Sequence, residues 1–218
     1  MYLENVMLFK VKDWQRINLP RPYADGEVIM NSQEILELFF QSGALVKGHF
    51  LLTSGRHSDM YLQIAQVFSH TECCEIISSE LASRFCDEKV DIVIGPALGG
   101  VILAYEVARK LNAVNMYCER EDGRMKLKRG FTIKKGQRIL IVEDVVTTGA
   151  SLNEVIELVK KAGGKIIGIG VVVDRALGNI DFGIRLESLA ELDIASFASD
   201  ECPMCELGEP LQKPQTTK

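Results

Sequence analysis

Apolar and polar positions along this chain sort into short runs that change period in a readable way. Asn31-x-x-Glu34 has capping-box spacing, Ile35, Leu36, Leu38 and Phe39 follow as a stripe, and Gly43 stops it, which predicts a helix over 32–42. A turn-rich segment at 51–58 leads into an expected strand over 60–67. Thr71 opens a further helix with Ile76, Ile77, Leu81 and Phe85 along one side. From residue 89 the pattern becomes regular. It predicts a strand at 90–94, a glycine loop at 95–100, a helix at 101–111 and a strand at 114–118. A polar excursion at 119–137 precedes a strand at 138–142, a loop at 144–151, a helix at 151–162 ended by Gly163-Gly164, and a strand at 166–173. Strands that are apolar throughout and alternate with helices imply a parallel sheet covered on both faces, the α/β doubly wound class. Ligands of such sheets sit beyond the carboxyl ends of the strands. The loops 95–100, 119–130 and 143–151 and the Asp174-Arg175 pair belong to that edge.

Length and composition narrow the classes. The chain has 218 residues, which suits one domain of a size that needs no staples. Its apolar runs fall well short of the ~18 residues a bilayer demands, and residues 1–30 lack the layout of a signal peptide. Neither a membrane nor secretion is expected, and the cytoplasm is the expected compartment. A net charge of -5 argues against a general nucleic-acid binder. Of six cysteines, Cys73, Cys74 and Cys118 read as small buried hydrophobes. Cys202-Pro-Met-Cys205 has half the spacing of a zinc site. A closed site needs four ligands, and none of His49, His57 and His70 is near in sequence, so no protein-built metal site is expected.

The strongest chemical signal is Ile139-Leu-Ile-Val-Glu143-Asp144-Val145-Val146-Thr147-Thr148-Gly149-Ala150-Ser151. A buried strand ends in two carboxylates, and a helix begins within seven residues. Hydroxyls and a glycine there can turn backbone N–H groups onto an anion at the helix N-terminus. Carboxylates beside a phosphate nest fit a sugar phosphate, whose hydroxyls they accept from. The bland alternative is a plain turn with Ser151 as the helix cap. The segment 119–138 holds eight Lys and Arg against three Asp and Glu, a surplus of five in an acidic chain. That concentration suits a pyrophosphate; its bland alternative is a solvated hairpin with Gly123 and Gly130 in turns. Gly95-Pro-Ala-Leu-Gly99-Gly100 allows close approach of an anion. Arg175 could clamp a carboxylate in a bidentate pair.

Residues 142–151 resemble the 5-phosphoribosyl 1-diphosphate (PRPP) signature of type I phosphoribosyltransferases. Together with Gly48-His-Phe-Leu-Leu-Thr-Ser-Gly-Arg56, Gly95-Pro-Ala97, Glu119-Arg-Glu-Asp-Gly123, Lys128-Arg-Gly-Phe131 and Val173-Asp-Arg175, the chain resembles a divergent branch of the orotate phosphoribosyltransferase family. The likeness spans about residues 31–206, with 1–30 an extension and 207–218 a tail. It implies a doubly wound sheet with a small hood from the N- and C-terminal segments, and Mg²⁺-dependent transfer of phosphoribose from PRPP to orotate in pyrimidine biosynthesis. It places PRPP on Glu143 through Ser151, with Asp144 at the ribose hydroxyls, and orotate at Thr147 and Arg175. The basic loop cations Arg120, Lys126, Lys128 and Arg129 would serve the leaving pyrophosphate across a homodimer. Magnesium would bind mainly through PRPP. The chain departs from many members at Thr53 and Gly99, where they carry Lys, and in a basic loop without His. A phosphoribosyltransferase for a purine or another base, or a PRPP-sensing transcription regulator on the same fold, remain alternatives.

Overall fold

A computed structural model describes residues 30–214; the extension expected over 1–30 lies, but for Met30, outside the described residues, as do 215–218. Helix α1 (Ser32–Gln41) starts where predicted. Asn31 accepts from the backbone of Gln33 and Glu34 while Glu34 returns a bond to the Asn31 N–H, a box worth about 0.5–2 kcal/mol. Next come β1 (Leu45–Leu51) and β2 (His57–Leu62), an antiparallel pair around the turn-rich segment. The strand expected over 60–67 is corrected: it begins earlier and ends at Leu62, and Ala65–Ser69 form the short helix α2. Val67 and Phe68 are buried from a helical turn, so their apolar character signalled burial rather than strand.

Helix α3 (Thr71–Ser83) leads into the main sheet: β3 (Ile92–Pro96), α4 (Gly99–Lys110), β4 (Val114–Glu121), β5 (Arg124–Leu127), β6 (Arg138–Val146), α5 (Ala150–Ala162), β7 (Lys165–Asp174) and β8 (Leu186–Glu191). Strand order is β5-β4-β3-β6-β7-β8, parallel except for the antiparallel edge strand β5. Alternate residues of the central strands divide the core. Val93, Leu140 and Val142 pack with α1, α3 and α4, while Ile92, Ile94, Ile139 and Ile141 pack with Leu152, Val155, Ile156 and Val159 of α5. Both faces are covered, as all-apolar strands require. Several boundaries move: the strand expected at 90–94 is Ile92–Pro96, and β7 gains one residue at each end. The glycines at 99 and 100 are helical, β4 runs on to Glu121, and β6 runs on to Val146, so the turn before α5 shrinks to 147–149.

A second, three-stranded sheet of order β1-β2-β9 stands apart, with β9 (Ser196–Phe197) supplied by the C-terminal segment. It is followed by the single-turn helix α6 (Pro203–Glu206) and a bridge from Gln212 to Phe50. This is the hood that the resemblance implied, assembled from both ends of the described chain. Among the described residues no helix is long and apolar enough to cross a membrane.

Candidate active site

The chain enters the main sheet at β3, moves outward to β4, then crosses back to β6, so β3 and β6 are neighbours whose connections leave in opposite directions. The crevice beyond their carboxyl ends is where a doubly wound sheet receives ligands. Two segments named from sequence meet there. A Cβ built on Gly99, at the end of the β3 loop, would collide with the Asp144 carboxylate at the end of β6. Glycine at 99 is thus what lets Asp144 stand in the crevice, and a Lys in its place would have to displace that carboxylate. The same loop holds a cis peptide between Ala97 and Leu98, for which no proline gives a signal in the sequence.

Beside Asp144 the turn closes into a cradle. Glu143, Val145, Val146, Thr147, Thr148, Gly149, Ala150, Ser151 and Leu152 line one pocket. Gly149 is the residue before α5, at φ 72°, a left-handed conformation that glycine adopts at little cost. No side chain caps the helix. The alternative with Ser151 as cap is therefore set aside; the Ala150 N–H lies 3.5 Å from Thr148 Oγ1, and residues 149–152, at the positive end of the helix dipole, line the pocket. Thr147 and Thr148 are exposed at the rim.

The two carboxylates differ in state. Glu143 is buried, and desolvation, reinforced by Asp144 beside it, pushes its pKa up to about 9. At neutral pH it is a protonated acid in the ligand-free protein, whereas the sequence reading had both as charged acceptors. Asp144 is partly exposed and accepts from the Val145 N–H at 2.8 Å.

Arg175 follows β7 at the same edge. Its backbone N–H donates to the Val146 carbonyl at 2.9 Å, tying it to the end of β6. The side chain is half-buried, its pKa is lowered by desolvation, and its Nε is buried without a hydrogen-bond partner. Asp174 sets this up, a role that residue-by-residue reading missed. Its buried carboxylate accepts from Ala176 N–H at 2.7 Å and Gly178 N–H at 3.0 Å, pinning the turn that carries Arg175. The signal available was Asp followed four residues later by Gly, an Asx-type turn.

The basic segment is different. β4 and β5 form a hairpin turning at Asp122-Gly123, both at positive φ, while Gly130 lies beyond it. Its cations are paired within the chain: Lys126 and Lys128 each reach Glu121 at 2.7 Å, Arg129 grips Glu119 through two nitrogens, and Arg120 meets Glu154 of α5 at 2.8 Å. Lys126 and Lys128 together hold the Glu121 carboxyl down at about 2. Of the residues predicted for the site, Glu143–Ser151 and Arg175 come together, and the four loop cations stand paired on the hairpin.

The chain matches the phosphoribosyl transferase domain family over residues 60–181. It is 53% identical over 189 residues to the orotate phosphoribosyltransferase of Caldanaerobacter subterraneus subsp. tengcongensis, covering 87% of this chain and all of that one. The chain belongs to the orotate phosphoribosyltransferase family. The family's Thermotoga maritima member is 47% identical over 83% of this chain and 96% of its own. Among solved structures, orotate phosphoribosyltransferase from Aeropyrum pernix superposes with a TM-score of 0.62 at 27% identity, covering 72% of this chain and 93% of that one. Adenine phosphoribosyltransferase from Rhodothermus marinus, at 19% identity and a TM-score of 0.59, shares the fold.

Proposed function

We propose that this chain transfers phosphoribose from PRPP to a ring nitrogen of orotate, giving orotidine 5′-monophosphate and pyrophosphate in pyrimidine biosynthesis. The observation that carries the proposal is one sheet edge holding both an uncapped helix N-terminus and a buried guanidinium nitrogen without a partner. The first suits the 5-phosphate and the second suits the orotate carboxylate, which uracil and the purine bases lack.

In this reading the α5 N-terminus and Thr147–Ser151 hold the phosphate, and Asp144 accepts from the ribose hydroxyls. Thr147 and Arg175 orient the base. The bond from the anomeric carbon to pyrophosphate breaks as the bond to the base nitrogen forms, through an oxocarbenium-like transition state. No protein nucleophile is required, so positioning and electrostatics dominate. Arg120, Lys126, Lys128 and Arg129 would serve the departing pyrophosphate by exchanging their present carboxylate partners for it. The residues lining the pocket offer hydroxyl and peptide oxygens and no thiol or imidazole, and Asp144 between Glu143 and Val145 adds a carboxylate, a donor set that fits magnesium. Asp144 would hold it jointly with PRPP oxygens, where it offsets phosphate charge.

The protein is further proposed to act in the cytoplasm as a homodimer in which the basic hairpin serves the neighbouring site, with neither nucleic acid nor membrane as partner. Supporting the dimer, Leu98, Ile102 and Tyr105 are exposed along one face at the start of α4. A pyrophosphate-release assay with PRPP and Mg²⁺ tests the function. Turnover is expected with orotate far above uracil, hypoxanthine or adenine, and better use of a purine would overturn the orotate assignment.

A further inference from the structure

Four donor groups that the active site leaves unused converge beneath the hood. His49 lies on β1, His57 opens β2, Cys202 is the residue before α6 and Cys205 lies within its single turn. One ligand atom from each lies within 4.8 Å of every other. His49 Nε2 is 2.9 Å from His57 Nδ1, 3.5 Å from Cys202 Sγ and 3.6 Å from Cys205 Sγ; Cys205 Sγ is 3.3 Å from His57 Nδ1. A tetrahedral zinc with ordinary Zn–S and Zn–N bonds sets a sulfur and a nitrogen about 3.5 Å apart.

The surroundings orient these atoms inward. His49 Nδ1 is 2.9 Å from the Glu209 carbonyl, which can only accept, so Nδ1 carries the proton and Nε2 presents its lone pair to the cluster. The β1–β2 register slips between Lys47 and Phe50, and this bulge aims His49 toward α6. Pro203 starts the single turn of α6, bringing both sulfurs to one side. His49, His57 and Cys202 are buried. Without a cation, His57 would turn its Nδ1 proton to the His49 Nε2 lone pair, and with zinc both of these nitrogens face the metal as lone-pair donors.

We propose that His49, His57, Cys202 and Cys205 form a closed, structural zinc site. Two sulfurs and two nitrogens in tetrahedral reach select zinc among common divalent ions. Binding releases one proton from each thiol, and the two thiolates neutralise the Zn²⁺, so a site buried on all but its Cys205 side carries no net charge. All four positions are protein ligands, so the metal fastens and does not react. It closes a span of 153 residues between His49 and Cys202, beside a second fastening in which Gln212 exchanges backbone bonds with His49 and Leu51. The same frame holds Arg56, whose guanidinium donates to the side chain and carbonyl of Ser196 in β9. Zinc therefore secures the C-terminal segment to the hood, independently of which base the enzyme uses.

The test uses the untagged full chain, purified reduced and without chelator. Metal analysis should find one zinc per chain, and cobalt exchanged into the site should show tetrahedral visible bands with a thiolate charge-transfer band. The Cys202→Ser/Cys205→Ser and His57→Gln variants should lose the metal, while Cys86→Ser keeps it. Chelation should lower the thermal midpoint and expose residues 196–214 to proteolysis first. A folded, reduced chain that takes up no zinc above the double-Ser background would overturn the proposal. So would an octahedral cobalt spectrum, or a Cys202–Cys205 disulfide in protein isolated from the cell. Should the variants fail to fold, the wild-type metal content and cobalt spectrum decide alone.

Discussion

The β6–α5 turn and the β4–β5 hairpin leave the same edge of the sheet, and both are rich in charged or polar groups, yet those groups are in opposite states. At the turn, Glu143 is buried and pushed toward its neutral form, α5 has no side-chain cap, and Arg175 nearby keeps a buried Nε without a partner. On the hairpin, Arg120, Lys126, Lys128 and Arg129 all have carboxylate partners within the chain. A buried polar group without a partner costs stability, and Arg175 Nε is such a group at this edge, which supports the proposed ligand site. Exposed pairs cost and contribute little, and they exchange partners readily. The turn is a site built ahead of its ligand, whereas the hairpin holds cations in reserve.

The largest effect is expected at Arg175. Arg175→Ala should raise KM for orotate by roughly thirtyfold or more, since a largely desolvated charge pair is worth about 2–5 kcal/mol, with KM for PRPP little changed. The mutant should also lose most discrimination between orotate and uracil. Steady-state kinetics with both bases checks this, and normal orotate binding would remove Arg175 from the base site.

Asp144→Asn should lower kcat/KM by about ten- to a hundredfold, the value of a charge-assisted hydrogen bond of roughly 1.5–3 kcal/mol, while the circular dichroism spectrum stays that of the parent. Near-normal turnover in the folded mutant would take this carboxylate out of the mechanism.

Glu143 sharpens the contrast through pH. Its folded pKa of about 9 lies above the ordinary 4.5, so between those values the folded protein holds a proton that the unfolded chain has lost. The resulting stability is full below about pH 4.5 and is lost as pH rises toward 9, by up to about 1.4 kcal/mol per unit. Urea unfolding of the protein without magnesium or substrate at about pH 6 and pH 8 should show this decline, and Glu143→Gln should flatten it. An equal slope in both proteins would mean that Glu143 is ionised throughout.

The smallest effects belong to the hairpin. Lys126→Gln, Lys128→Gln and Arg129→Gln combined should lower kcat several-fold, with product affinity little changed, because the nucleotide product lacks pyrophosphate. If the hairpin acts across subunits, mixing this triple variant with Asp144→Asn should restore part of the activity, since each hybrid dimer then contains one intact site. Confirmed subunit exchange without recovery would place the hairpin at its own chain's site.

Much of the turn was legible because its signals are local. Four apolar residues, an acidic doublet, two threonines and a glycine specify a buried strand, a tight turn and a helix start within one window, and the structure moves the boundaries by only a few residues. The hairpin was legible as a charge surplus but not in its state, since the sequence cannot say whether Lys126 faces solvent or Glu121. Strand β8 escaped because Leu-Glu-Ser-Leu-Ala-Glu lacks a strand period, and its conformation follows from pairing with β7.

What the sequence determined by itself is therefore the doubly wound core, the family resemblance and the candidate phosphate cradle, all of which rest on periodicity and short-range spacing. Tertiary structure decided which distant groups meet. It set Gly99 against Asp144, tied Arg175 to the end of β6, and turned the hairpin cations onto their own carboxylates. It also joined Cys202 and Cys205 to two histidines about 150 residues away, His49 and His57, which spacing along the chain had kept apart. The physical reason is that an element's conformation is governed mainly by neighbours within a turn or a strand length. The completion of a site depends on the crossings and pairings by which a sheet and its hood bring remote residues within a bond's length.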